Sequence, residues 1–470
     1  MENNPKYLSI LKVLSVISAI LTITLASFST DFKAPFWLIT CSYSALLFVI
    51  SRYNQIYFAP GIFMLNITMF MRYCVLILST YLFGELSIYA NNYNYLTQAT
   101  FLMIYEQVAI FIMLYVTAKF EKKQFSSLNI IGSELPFKLN NMLLVSVFIL
   151  FIVVGVLVIN PYLISGFSLI TEGMIANENL VENNSGMIII LWQACLSWLY
   201  IFFCTYVRNK YKSGSLYFCI LFSVIYILLT FIGQQSISRW YTIISVVSVY
   251  FILKKLYPNK VKTIMMTVIP PVLILLVLAS IYKNTDYLTD REHFINNFIN
   301  LFDSKKLDPY FSGPVGVNNA LGLKNDLKLN ISTLPLDVIN NFPIINHLFD
   351  TSKNTVNQYN YYIGRFWNGS GDQIIPLLGQ SMIYFSAVFS PLLSCLSIFL
   401  MRKYDRKYFT SSSLDVYLYS FASVWIAVMP ILNLTIFLSW VYLRIFPLLL
   451  LITFTNILTT GKLVIRRRFD

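Results

Sequence analysis

The longest polar stretch of the chain opens KNTDYLTDREHF at Lys283–Phe294 and closes YYIGRFWNGSGDQIIPLLGQ at Tyr361–Gln380. On either side lie apolar runs and short connectors. The stretch holds both histidines, His293 and His347, with Arg291, Arg365 and Asp372. A connection of that length between membrane helices is usually functional or a small folding unit, so much of any chemistry is expected there.

Composition sets the class. At 470 residues, 57% hydrophobic, 12% charged and with a mean hydropathy of +0.66, the chain carries more apolar side chain than a globular core buries. We read an all-α, polytopic membrane protein. The net charge of +13 is no sign of nucleic acid binding, because the basic residues fall in connectors and no finger or groove pattern accompanies them. The six cysteines all fall in apolar runs without CxxC spacing, and read as small core side chains. The N-terminal apolar run is too long for a signal-peptide core and reads as a retained first helix.

A hydrocarbon layer of about 30 Å takes about 20 residues of helix. On that measure twelve spans are predicted, near residues 8–28, 35–50, 61–83, 99–118, 141–159, 187–206, 215–233, 241–257, 263–282, 381–401, 415–433 and 436–458. The connectors test the count, since Lys and Arg gather on the cytoplasmic side. One set holds Arg52, the Lys119–Lys138 group, Arg208 to Lys212, Lys254 to Lys262, Arg402 to Lys407 and the Arg466–Arg468 tail. The alternate connectors hold almost none, and Glu172, Glu178 and Glu182 lie in one of them. Both termini are therefore placed inside and the long loop outside. The chain divides into residues 1–282 with nine spans, 283–380 as one large periplasmic loop, and 381–470 with three spans and a basic cytoplasmic tail.

Ionisable groups inside spans are costly and are functional candidates by default. Arg72, Glu106 and Arg444 are three such groups, and Arg239 sits at the mouth of the eighth span. At about 1.5 Å rise per residue the first three lie roughly 10 to 17 Å below the outer helix ends. Arg72 and Glu106, on consecutive antiparallel helices, either neutralise each other or serve a substrate. Arg239 and Arg444 have no acidic neighbour in sequence, so they either snorkel, pair with the loop, or hold a ligand that brings negative charge. Arginine binds phosphate bidentately, which points to a diphosphate.

Within the loop, Asp290–Phe302 reads as an amphipathic surface helix and Pro335–Asn341 as a second short one. Tyr359, Tyr361, Tyr362, Phe366 and Trp367 cluster around Arg365. Such aromatic faces beside amides and carboxylates suit stacking against sugar rings; the alternative is an interfacial aromatic belt. Candidates for a general base are His347, His293, Asp372 and Glu106. No metal-ligand or nucleotide motif stands out, so the chemistry is expected to need no metal or other cofactor.

The many spans with one late outer loop, together with TFIGQQSISRWYTIISVV (Thr230–Val247) and IIPLLGQSMIYFSAVFSP (Ile374–Pro391), resemble the Wzy-type O-antigen and capsular repeat-unit polymerases. The polar turn at Gln235, Ser236, Ser238 and Arg239 and the loop's return through Gly379, Gln380 and Tyr384 carry the likeness. Gln380 departs from the acidic residue common in the family. The resemblance implies a GT-C-like helical core in the bacterial inner membrane. It implies an enzyme that joins undecaprenyl-diphosphate-linked oligosaccharides, working among membrane lipid, with room for a chain-length regulator as partner. Arg72, Arg239, Arg291, Arg365, Arg444, Tyr361 and Trp367 are the expected substrate contacts. Rival readings are an O-antigen ligase and a lipid-linked oligosaccharide flippase; the latter needs no hundred-residue outer loop.

Overall fold

The computed structural model describes residues 5–28, 35–51, 59–83, 86, 94–125, 139–159, 186–211, 215–232, 239–260, 262–264, 266–268, 270, 303–342, 348–366, 374–411 and 413–460. Among them all regular secondary structure is helical. The helices are α1 (Pro5–Phe28), α2 (Trp37–Ser51), α3 (Pro60–Phe83), α4 (Leu96–Phe125), α5 (Leu139–Ile159), α6 (Gly186–Tyr211), α7 (Leu216–Ile232) and α8 (Arg239–Leu256). The polar stretch contributes α9 (Ser304–Phe311), α10 (Pro314–Leu327), α11 (Thr333–Ile339) and α12 (Thr355–Phe366). The remainder is α13 (Leu377–Phe385), α14 (Leu392–Thr410), α15 (Ser413–Val428), α16 (Leu434–Trp440) and α17 (Phe446–Thr460).

Five helical stretches are long and apolar enough to cross a membrane: Tyr7–Phe28, Pro60–Phe83, Leu96–Phe120, Ile190–Tyr211 and Leu434–Leu458. Four more apolar helices are shorter. Along α1, Ile10, Val13, Ile17 and Ile20 are exposed, as are Leu144, Phe148, Phe151 and Val158 on α5. In water such stripes would be a liability; facing lipid they are what a membrane helix presents. These are features of a helical membrane protein.

Most of the predicted span 263–282 lies outside the described residues. The predicted span 381–401 is not one helix. α13 ends at Phe385, Ser386 takes a left-handed φ of 71°, and α14 starts at Leu392 after Pro391, whose ring has no N–H to continue a ladder. The separation of the last two predicted spans near Asn433 is present. A 3-10 turn at Met429–Ile431 ends α15, and Asn433 Oδ1 accepts the Ile436 N–H at 2.7 Å to cap α16.

The chain forms two compact units. The first comprises residues 1–128, 298–404 and 423–439. In it α1 packs on α2 and α3, and α2 on α4. The polar stretch does not stand off as a separate body: α9 packs against the second half of α3, and α10 is laid against α4, α12 and α13. Pro314 starts α10 where its missing N–H costs nothing, and Lys328 ends it with a φ of 53°. Asn318 and Asn319 on α10 are buried, and Asn318 Oδ1 takes the Tyr95 N–H at 3.0 Å just ahead of α4. Gly379 lets α13 approach closely, since a Cβ there would stand 2.4 Å from the Ala320 Cβ.

The second unit comprises residues 129–297, 405–422 and 440–470. α6 is its centre, contacted by α5, α7 and α17, with α8 on α7. Its interior is tied by hydroxyls: Ser197 and Tyr226 lie 2.9 Å apart, Tyr226 also bonds Tyr417, and Tyr200 pairs with Ser223 at 2.9 Å. In an apolar surrounding such pairs act as interhelical glue.

Candidate functional site: a buried polar core

Two spans depart from α geometry at one place each, and both departures contain an arginine. In α3 the π turn is Met71–Val75 with Arg72; in the last helical stretch it is Val441–Ile445 with Arg444. A π turn widens the helix by one residue and tends to mark functional positions.

Arg72, 1% exposed, is the hub of the first unit's polar core. Its Nη1 lies 3.0 Å from Glu106 Oε2 on α4 and donates to the Pro430 carbonyl at 2.9 Å, while Nε donates to the Ser312 carbonyl at 3.1 Å. Glu106 is filled in turn, accepting the Tyr73 hydroxyl at 3.1 Å and the Ser394 hydroxyl at 2.6 Å. Of the two sequence alternatives, the structure gives the mutual neutralisation. Glu106 was expected among the bases and Arg72 among the substrate contacts, and both are closed off and engaged with each other.

The carbonyls that Arg72 and its neighbours reach belong to the interruption between α15 and α16, where the helical ladder leaves them unpaired. Pro430 is met by Arg72, and the Ile431 carbonyl by the Ser312 hydroxyl at 2.6 Å. On the far side of the break the Leu434 N–H donates to Gln380 Oε1 at 2.8 Å. A broken helix in an apolar setting survives only where its backbone finds such partners.

Beside Arg72 stands a second carboxylate. Asp308 is 6% exposed and accepts the N–H groups of Val315 and Gly316 at the N-terminus of α10. Gly313 makes room for it, because a Cβ there would lie 2.0 Å from Asp308 Oδ1. Burial pushes the Asp308 carboxyl up to about 7, against the pull of those two N–H groups and of Arg72.

A third carboxylate, Asp337 on α11, is fully buried. Its Oδ1 accepts the Thr355 N–H at 3.0 Å and the Thr435 hydroxyl at 3.4 Å; its Oδ2 accepts the Tyr384 hydroxyl at 2.5 Å and the Thr355 hydroxyl. Among the described residues no cation is its partner. Burial raises its carboxyl above the usual range, while the four donors hold it down.

The aromatic cluster expected around Arg365 is divided by helix geometry. In α12, Tyr359 and Tyr362 are three residues apart and point inward at 2% and 5% exposure, whereas Tyr361 is 63% exposed. Tyr359 reaches the Gly316 carbonyl and Tyr362 the Asp326 carboxylate at 2.8 Å. Of the sugar-stacking candidates Tyr361 remains on the surface. The short helix predicted over Pro335–Asn341 is present as α11.

In the second unit, the Arg444 guanidinium lies 5.4 Å from the centre of the Trp440 ring, a cation–π contact. Arg239 is the first residue of α8, and Arg365 stands near the end of α12; of these two only the backbone is described. His293, His347, Asp372, Arg291 and Trp367 lie outside the described residues, as does most of the predicted Asp290–Phe302 helix.

Sequence reading missed Asp308 and Asp337. For Asp308 the only signal was the Gly313-Pro314 helix start, which does not itself point to an acidic group five residues earlier. For Asp337 there was none, because its partners come from three distant helices.

Comparisons with protein-family models, with curated proteins and with solved structures return no match.

Proposed function

We propose that this chain is a membrane glycosyltransferase of the repeat-unit polymerase type, with twelve spans, both termini cytoplasmic and residues 283–380 on the periplasmic face of a bacterial inner membrane. It joins undecaprenyl-diphosphate-linked oligosaccharides into O-antigen or capsular polysaccharide. The acceptor hydroxyl oxygen bonds to the anomeric carbon of the donor glycan, and the bond from that carbon to the diphosphate breaks. The electron pair leaves with the undecaprenyl diphosphate, and the hydroxyl proton passes to a base, His347 or Asp372.

The observation that carries the reading is the helical order of α9 to α12, with α9 packed on α3, α10 on α4, and α12 on α10 and α11. A flippase must alternate its access and gains nothing from a large outer segment fixed to its helices. An enzyme needs such a segment to hold an acceptor in register with a donor. With Arg72 occupied by Glu106, the cations assigned to the diphosphate are Arg239 and Arg444, both in the second unit. Their guanidinium groups stabilise the charge that develops on the leaving group.

The test is deletion of the gene in its native host, read as a gel of surface polysaccharide. Single repeat units on the lipid anchor with the ladder lost support the proposal. Loss of every transferred unit speaks for a ligase or flippase, and intermediates held on the cytoplasmic face speak for the flippase. Arg239→Ala and Arg444→Ala should each remove the ladder at normal membrane abundance, and Lys at either position should restore little, lacking the bidentate fork. An intact ladder in both Ala variants would overturn the diphosphate assignment.

A further inference from the structure

Four helices meet at the Asp337 carboxylate. It lies on α11 and bonds Thr355 at the start of α12, Tyr384 on α13 and Thr435 on α16. Two features separate this from ordinary helix packing. First, the carboxylate is buried and its partners among the described residues are neutral donors, an expensive arrangement that an apolar side chain would avoid. Second, it duplicates a cap that exists already. Asn354 Oδ1 accepts the Asn357 N–H at 2.7 Å, the usual capping bond of α12, and Asp337 adds a second acceptor on the Thr355 N–H. A negative charge at that end is favoured by the twelve-residue helix's dipole. Asp337 thereby ties the start of α12, already capped by Asn354, to α11, α13 and α16. α12 carries Tyr361, 63% exposed on the surface.

We infer that Asp337 is a positioning residue: its carboxylate locks α12 to α11, α13 and α16 so that Tyr361 is held out for the acceptor glycan. This rests on the proposed polymerase reading. Asp337 does not touch the substrate. It acts through the helix it caps, and Tyr384 and Gln380 support it from α13, where Gln380 Oε1 also holds the Leu434 N–H ahead of Thr435. An amide at position 337 would turn an NH2 toward donors, so Asp337→Asn removes at least one of the four bonds while keeping the shape. A glutamate restores the acceptors with a longer reach.

The experiment uses the full-length protein with single reporter cysteines and a membrane-impermeant maleimide, the chain without a reporter serving as blank. Tyr361→Cys reports the exposed side of α12 and Ile363→Cys its buried side, 1% exposed. In detergent, Ile363→Cys should be protected with Asp337 present and labelled about ten-fold faster with Asp337→Asn, a rise equal to about 1.4 kcal/mol of lost closure. Tyr361→Cys should label in both. Protection of Ile363→Cys that survives both Asp337→Asn and Asp337→Ala overturns the locking role. Labelling of Tyr361→Cys in intact cells with permeabilised outer membranes tests the topology separately, and its absence there with labelling in detergent overturns the periplasmic reading alone. With lipid-linked substrate and equal protein abundance, Asp337→Asn should raise KM for the acceptor more than it lowers kcat, and Asp337→Glu should recover part of that loss. An equal fall in kcat with KM unchanged would show that Asp337 does not act through acceptor binding.

Discussion

Arg72 and Glu106 face each other across 3.0 Å in the core of the first unit, one 1% and the other 0% exposed, and neither charge reaches a surface. A pair so enclosed is costly to break from one side. Arg72→Ala takes the cation from the buried Glu106 carboxyl and orphans the Ser312 and Pro430 carbonyls, and Glu106→Ala leaves a buried guanidinium without its carboxylate. Each should cost about 3 to 5 kcal/mol. Replacing both, Arg72→Ala with Glu106→Ala, should cost less than the sum of the two by more than about 1 kcal/mol, because neither partner is then left facing the gap of the other. Thermal unfolding of the purified protein in detergent measures the cycle. Additive losses would show that the two side chains do not depend on each other.

Asp308 predicts a pH dependence with a definite sign. Its carboxyl rises from 3.8 in the open chain to about 7 in the fold, so the folded protein holds the proton more tightly. Its contribution is therefore full below about pH 4 and is lost as the pH climbs through 7, by up to about 1.4 kcal/mol per unit. Asp308→Asn keeps an acceptor for the Val315 and Gly316 N–H groups and removes the titration. The variant should lose less stability than the wild type between pH 5 and 8. Parallel unfolding curves over that range would place the titration elsewhere.

Two glycines give opposite outcomes for the same substitution. At Gly379 a Cβ meets the Ala320 Cβ at 2.4 Å, and neither atom is the end of a flexible side chain, so α13 must move off α10. Gly379→Ala should cost about 1 to 3 kcal/mol and weaken the Gln380 and Tyr384 contacts that follow. At Gly155 in α5 nothing lies within 4 Å of the added methyl. Gly155→Ala should be neutral or stabilising by up to about 1 kcal/mol. Equal effects would mean that the α10–α13 approach is not close.

What the sequence made legible follows from where each signal lives. The apolar runs announce helices because each must satisfy its backbone internally, and the helices α1 to α8 fall on the first eight of the predicted spans. The Arg72–Glu106 pairing was legible as an alternative because the two sit on consecutive helices at similar depth. The break near Asn433 showed itself as a short gap between two apolar runs, open to reading as one broken helix. By contrast, the helical character of α12 was obscured, since a Tyr-rich stretch looks like a surface cluster until 3.6-residue periodicity sends Tyr359 and Tyr362 inward and Tyr361 outward. The interruption of the span at 381–401 was hidden inside a continuous apolar run. Asp337 draws its meaning from partners far along the chain, such as Thr435, and Asp308 in part from Arg72, and no local pattern encodes those meetings.

Ser312 gives the sharpest test of how the polar stretch is joined to the broken helix. It turns the chain from α9 into α10 with a φ of 53°, a left-handed conformation that costs a residue with a side chain about 1 to 2 kcal/mol and costs glycine nothing. The turn is held at both ends, the hydroxyl donating to the Ile431 carbonyl at 2.6 Å and the carbonyl accepting from Arg72 at 3.1 Å. Ser312→Gly loses the hydroxyl bond and gains the freedom of the left-handed region, so the two effects nearly cancel. Ser312→Ala loses the same bond, leaves the Ile431 carbonyl unmet, and keeps the strain. Ala should therefore be the less stable of the two variants by about 1 kcal/mol or more, in the reverse of their ordinary order within helices. If unfolding midpoints place Ala level with Gly or above it, the residue is not held left-handed, and the link from Arg72 through this turn to the Met429–Ile431 segment is not the one described.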